Sequence, residues 1–144
     1  MLQVLSSLNL VTRMDLGASA AVLASGVTGT WVAIDSADHV DFPTASGVIS
    51  FPIWSESNRD GSAGFSPDIH STGNVTVIYG KLRDVTDQFV GSPAVGAALY
   101  VTTAGKLSAA GSDASDVIVG YCMKASHSVT YLSAPFTAIE FVTV

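Results

Sequence analysis

The side chains of this chain best suited to proton transfer or metal binding are three histidines, His39, His70 and His127, and they stand far apart in loop-like settings. No two have the i, i+4 spacing that places a pair of imidazoles on one helix face for a metal. They read as isolated surface residues without recognisable partners. The densest polar cluster is Asp35-Ser36-Ala37-Asp38-His39-Val40-Asp41, whose carboxylates are the hard oxygen donors that a divalent cation takes. It lacks the glycine and closing glutamate of a calcium loop, and the sequence predicts a solvated turn between two strands. Asn58-Arg59-Asp60-Gly61 imitates a calcium loop without its ligand periodicity and reads as a turn. Gly17-Ala18-Ser19-Ala20-Ala21 approaches a nucleophile elbow, but that motif needs a strand before it, a helix after it and a histidine base within a doubly wound α/β sheet. No such pattern surrounds it. Phosphate cradles are absent. Trp31, Trp54 and Tyr131 are the aromatics a carbohydrate-binding module would use, although single tryptophans in strands are core residues more often than platforms. The expectation is a protein with no catalytic residue, no metal and no cofactor.

The elements that would carry these residues are β-strands. From Gly26 onward, short apolar runs alternate with Gly, Ser, Asp and Pro: Thr30 to Asp35, then Val48 to Trp54, each bounded by turn formers. Pro43 and Pro52 cannot donate to a ladder, which puts them at strand edges or starts. Ser55 to Pro67 lacks periodicity and reads as an exposed loop. Asn74 to Gly80 places Val75, Val77 and Tyr79 on one face and Thr76 and Ile78 on the other, so both faces are partly apolar, as in a sandwich or barrel. Lys81 to Val90 spaces Leu82, Val85 and Phe89 by three and four, equally compatible with a short helix or a loop crossing. Leu99 to Thr103, Ala104-Gly105 and Lys106 to Ser108 form a hairpin signal. After the polar stretch 111–116 comes Val117 to Met123, where Gly120 marks a bulge or a close backbone approach. Phe136 to Val144 closes the chain as a strand.

At 144 residues one domain is expected, with 1–15 as an N-terminal arm and 16–144 as a single β domain. In the arm, Val4, Leu5, Leu8 and Val11 fit a helix, while Leu8, Leu10 and Thr12 fit a strand. A signal peptide is disfavoured by the missing positive start and by Arg13 and Asp15. Leu2, Val4, Leu5, Leu8 and Leu10 form an apolar set that needs a partner, and are the candidate protein-interface residues. Pairing as a strand within the same domain is the alternative.

Charged residues are 12% of the chain, about half the ~25% of an ordinary soluble domain, against 48% hydrophobic. No apolar run approaches the ~18 residues of a helical membrane span, so protein contact is the expected outlet for this apolarity. The net charge of −6 and the scattered Arg13, Arg59, Lys81, Arg83, Lys106 and Lys124 argue against direct nucleic-acid binding. Cys122 is alone, which excludes an intrachain disulfide, and reads as a small buried hydrophobe.

In order, Ala94-Val95-Gly96-Ala97-Ala98-Leu99-Tyr100-Val101, then Gly105-Lys106-Leu107, Val117-Ile118-Val119-Gly120-Tyr121 and Ile139-Glu140-Phe141-Val142-Thr143-Val144 resemble the ending of the head decoration, or cement, proteins of tailed bacteriophages. Gly29 to Asp35, Asp41 to Thr44, Phe51 to Trp54 and Val75 to Gly80 extend the resemblance more loosely upstream. The resemblance implies an all-β domain, a small β-sandwich or β-barrel of β-tulip type, that assembles as a homotrimer on the outside of an icosahedral capsid. Its partners would be the major capsid protein and copies of itself, and its location the virion exterior after assembly in the host cytoplasm. A carbohydrate- or receptor-binding β-module, on a virion or secreted, is the alternative from another functional class.

Overall fold

The structure, a computed structural model, describes residues 2–7, 12–44, 49–53, 73–110, 117–131 and 134–144. The polar stretch 111–116 and the expected loop at 55–67 lie outside these. The described chain is almost entirely β: β1 (Leu2–Ser7), β2 (Thr12–Ala18), β3 (Trp31–Ser36), β4 (His39–Asp41), β5 (Ser50–Pro52), β6 (Asn74–Tyr79), β7 (Leu82–Thr86), β8 (Ala98–Val101), β9 (Leu107–Ser108), β10 (Gly120–Tyr131) and β11 (Ala134–Thr143). One six-stranded sheet has the order β1-β7-β11-β10-β8-β9, and a five-stranded sheet the order β5-β3-β4-β2-β6. The ends of the second sheet meet through an Ile53–Val77 bridge, which nearly closes it into a barrel. Pro52 ends β5 at that sheet's edge, where a missing N–H is tolerated.

Strand periodicity divides the apolar residues between two cores. In β3, Val32 points into the barrel with Val40, Val75 and Val77, while its neighbour Trp31 joins Leu82, Leu99, Leu107, Ile139 and Phe141 between the sheets. β6 repeats the division, with Val75 and Val77 inside the barrel and Ile78 between the sheets. Two-sided apolarity in that strand therefore comes from two cores, one on each face.

One helix was not anticipated from the sequence. Ser19 caps α1 (Ala20–Ser25) by accepting a hydrogen bond from the Val22 N–H, and Val22 is fully buried in the barrel core. The segment Lys81 to Val90 is neither helix nor loop crossing, and both readings are corrected: Leu82–Thr86 is β7, an inner strand between β1 and β11. Leu82, Asp84 and Thr86 alternate onto the core-facing side, and the spacing of three and four that suggested a helix is incidental.

The hairpin of β8 and β9 turns at Gly105, which has φ 71° and whose carbonyl accepts from the Trp31 N–H at 2.8 Å. This turn also docks one sheet on the other. Gly120 lies where a close approach was expected, since a Cβ there would meet the Val142 carbonyl oxygen at 2.4 Å. The ladder irregularities come later, between Cys122 and Lys124 and between Lys124 and His127. We expect Gly120→Ala to cost about 1–3 kcal/mol, the range for overpacking, in chemical denaturation. An unchanged midpoint would show that β10 can move aside.

Candidate functional site

The five apolar residues of the N-terminus divide into two groups. Leu2, Val4 and Leu5 belong to β1, which pairs antiparallel with β7 along the outer edge of the six-stranded sheet, the within-domain pairing held above as the alternative. Leu8 and Leu10 lie outside the described residues. β1 follows a break between Val4 and Ser6, so the ladder is irregular opposite Asp84 and Arg83.

The polar clusters become concrete once the strands are in place. Asp35 to Asp41 is the turn of the β3–β4 hairpin, with Asp38 at φ 57°. His39 is not isolated: its Nδ1 lies 2.7 Å from Asp35 Oδ1, and this hydrogen bond holds the Asp35 carboxyl below its ordinary range. An imidazole oriented by a carboxylate is two-thirds of a catalytic triad. Ser19, however, donates its hydroxyl to Asp41 Oδ1 at 2.6 Å, and Asp41 also accepts from the Phe42 N–H. The hydroxyl is committed to Asp41 rather than to the imidazole. Among the described residues no group of His, Cys, Asp and Glu is arranged for a metal ion. His70, Trp54 and the 58–61 turn lie outside them.

His127 also has a partner that the sequence did not suggest. Glu140 of β11 accepts from Arg83 of β7 at 2.8 Å and lies 3.5 Å from Lys124 and 3.6 Å from His127, both on β10. The Arg83 hydrogen bond, with Lys124 adding attraction, holds the Glu140 carboxyl below its ordinary range. Three strands supply this cluster, so no local spacing announces it. Because Arg83 and Lys124 are half exposed, solvent screens it strongly. Glu140→Gln is expected to cost at most about 1 kcal/mol at neutral pH. The difference should vanish in acid, because a lowered carboxyl pKa contributes stability that is lost as pH falls through it. Melts of both proteins across pH check this, and a loss that persists in acid contradicts it.

Asp84 is the opposite case. Its side chain is fully buried on the core face of β7, opposite Val4 of β1 and Phe141 of β11, and neither oxygen has a hydrogen-bond partner among the described residues. Burial pushes its carboxyl up to about 7. Trp31 stands 6.2 Å from Phe141 between ring centroids, and its indole N–H is likewise buried and unpaired among the described residues. Cys122 is buried as expected, and burial raises its thiol.

Trp31 also floors an apolar groove of about 290 Å³. Phe51 and Tyr79, in edge contact at 5.8 Å, form one wall, and Val117 to Val119 and Val144 contribute to the rest. Ile49 and Val144 are 67% and 61% exposed at its mouth. Chemically it suits an apolar side chain. The edge of β5, the start of β7 and the end of β11 are brought together here by tertiary structure alone. Neither a family model nor a curated protein nor a solved structure matches the chain.

Proposed function

We propose that this protein is a structural virion component, a decoration or cement protein that binds the outer surface of an icosahedral phage head and stabilises its expanded, DNA-filled state. The observation that carries the reading is uncovered apolar surface on a weakly charged β domain. Ile49, Val95, Met123 and Val144 are each more than half exposed, and Ile49 and Val144 stand together at the apolar groove, a continuous surface of the kind that protein contact covers. The segments that carried the resemblance support it too, since β8, β9, β10 and β11 lie side by side in one sheet. The mechanism is mass action: a protein that binds only the assembled shell stabilises it by its binding free energy, multiplied over many copies. Leu2, Val4, Leu5, Leu8 and Leu10 remain the proposed contact residues toward the capsid protein or a neighbouring copy, the first three through the outer side of the edge strand β1.

The alternative of a carbohydrate- or receptor-binding module draws on Tyr79 at the groove. Trp31 is too buried to act as a sugar platform, and the groove lining is largely apolar, whereas a sugar needs converging polar groups. Adding the purified protein to undecorated heads and imaging them tests the reading. Ordered density at regular surface positions is the expected result, and bare heads at saturating protein would refute it.

A further inference from the structure

Among the described residues, neighbouring strands support the β10–β11 ribbon only at its root. β8 pairs with β10 at Gly120 and Tyr121, and β7 pairs with β11 from Ile139 to Val142. Beyond those positions and the Cys122 hydrogen bonds to Gly96 and Ala97, the two strands pair, among the described residues, only with each other as far as Tyr131 and Ala134. From Met123 to Thr130 and from Ala134 to Thr137 every residue is exposed or half-buried. No Lys, Arg, Asp or Glu occurs between Ala125 and Ile139. A lone two-stranded ribbon is marginally stable in water, and an uncharged free edge is a template for another chain. Pro135 interrupts the β11 edge, but from Ala125 to Tyr131 the β10 edge carries no proline and no Lys, Arg, Asp or Glu.

The apolar groove lies at the opposite end of the same ribbon. Gly120 and Thr143 pair at the root, where Val119, Thr143 and Val144 line the groove, whereas Tyr131 pairs with Ala134 at the tip. Nine residue steps along β11, from Thr143 to Ala134, separate root from tip, about 30 Å. The ribbon therefore cannot fill the groove of its own molecule. Directly paired residues share a face, so Val129 and Phe136 form an apolar pair on the distal ribbon.

We propose that the distal ribbon of one copy seats its Val129–Phe136 pair in the apolar groove, floored by Trp31 and rimmed by Ile49, Tyr79 and Val144, of a second copy of the chain. This deepens the reading above and rests on its self-association component. Donor and acceptor are different surfaces at opposite ends of one element, so the contact is head-to-tail and generates a ring where the rotation closes. No Lys, Arg, Asp or Glu side chain lies on either surface, so copies with a net charge of −6 can meet there without like-charged side chains in the contact.

Sedimentation of the full chain at tens of micromolar tests this, with Phe136→Asp as the donor-defective protein and Ile49→Asp combined with Val144→Asp as the acceptor-defective one. Loss of an interface anchor weakens association roughly tenfold or more, so each should sediment as a monomer. Mixed, they should form a one-to-one dimer, because one intact ribbon meets one intact groove. Thr130→Lys, at an exposed ribbon position, is a second donor-defective variant that spares the Val129–Phe136 pair, and thermal melts verify folding of all of them. A wild-type monomer, folded variants that associate like the wild type, or a mixture that does not pair would each overturn the proposal. Decoration of heads by a protein that stays monomeric overturns it while leaving the capsid reading intact. Ring formation without attachment to heads does the reverse.

Discussion

Raising the pH from about 4 to about 8 is expected to destabilise this protein by about 4 kcal/mol through Asp84 alone, and Asp84→Asn should abolish most of that loss. In the folded protein burial, with no hydrogen-bond partner among the described residues, pushes the carboxyl up to about 7, whereas in the unfolded chain it keeps its ordinary 3.8. Between those values the native state holds a proton that the unfolded state has released. Stability therefore falls as pH rises through the window and is level above and below it, the reverse of a salt-bridged carboxylate. At 1.36 kcal/mol per pH unit the difference amounts to about 4 kcal/mol, or a melting shift on the order of 10 °C for a chain of this size. Melts of the wild type and Asp84→Asn at successive pH values give the answer directly. Parallel profiles would mean that the carboxyl finds a partner or reaches water in the folded state.

Phe141→Ala should be as damaging, and its cost should itself depend on pH. Phe141 is the largest fully buried side chain, it packs against Trp31, and its removal leaves a cavity where the two sheets meet. Truncations of this kind cost about 3–5 kcal/mol. Because Phe141 lies directly opposite Asp84, the cavity also admits water toward the carboxyl and eases its ionisation. The full cost is expected near pH 5, where Asp84 is protonated in both proteins, and a smaller one near pH 8. In an Asp84→Asn background the pH dependence should disappear, which is the coupling expected of neighbouring residues. Urea denaturation of the four proteins at both pH values measures it. Additive effects would show that Asp84 is insulated from the space Phe141 occupies.

Much of the architecture is already present in local patterns. Alternation along Asn74 to Tyr79 identifies a strand with two apolar faces, because strand side chains alternate whatever the sheet does next, and the apolar run from Thr30 to Asp35 between turn formers identifies another strand. The β8–β9 hairpin follows from Ala104-Gly105 between β-forming runs, and the burial of Trp31 and Cys122 from their places in apolar strands. Short segments were less legible. Lys81 to Val90 satisfies a helical spacing by coincidence, and β7 forms because β1 and β11 pair with it on both sides. In the same way, α1 is six residues long and is held by the Ser19 cap and the burial of Val22 rather than by any periodicity.

The candidate sites belong almost wholly to tertiary structure. Glu140 gathers Arg83, Lys124 and His127 from two other strands, and the groove draws on segments from Trp31 to Val144. Composition alone determined that the surface would be weakly charged, since 12% charged residues cannot cover a domain of this size. Which apolar residues stay uncovered, and that the ribbon's tip lies far from the groove at its root, depended on strand order and register. Those are fixed by hydrogen bonds and packing between segments distant in sequence, which no local pattern encodes.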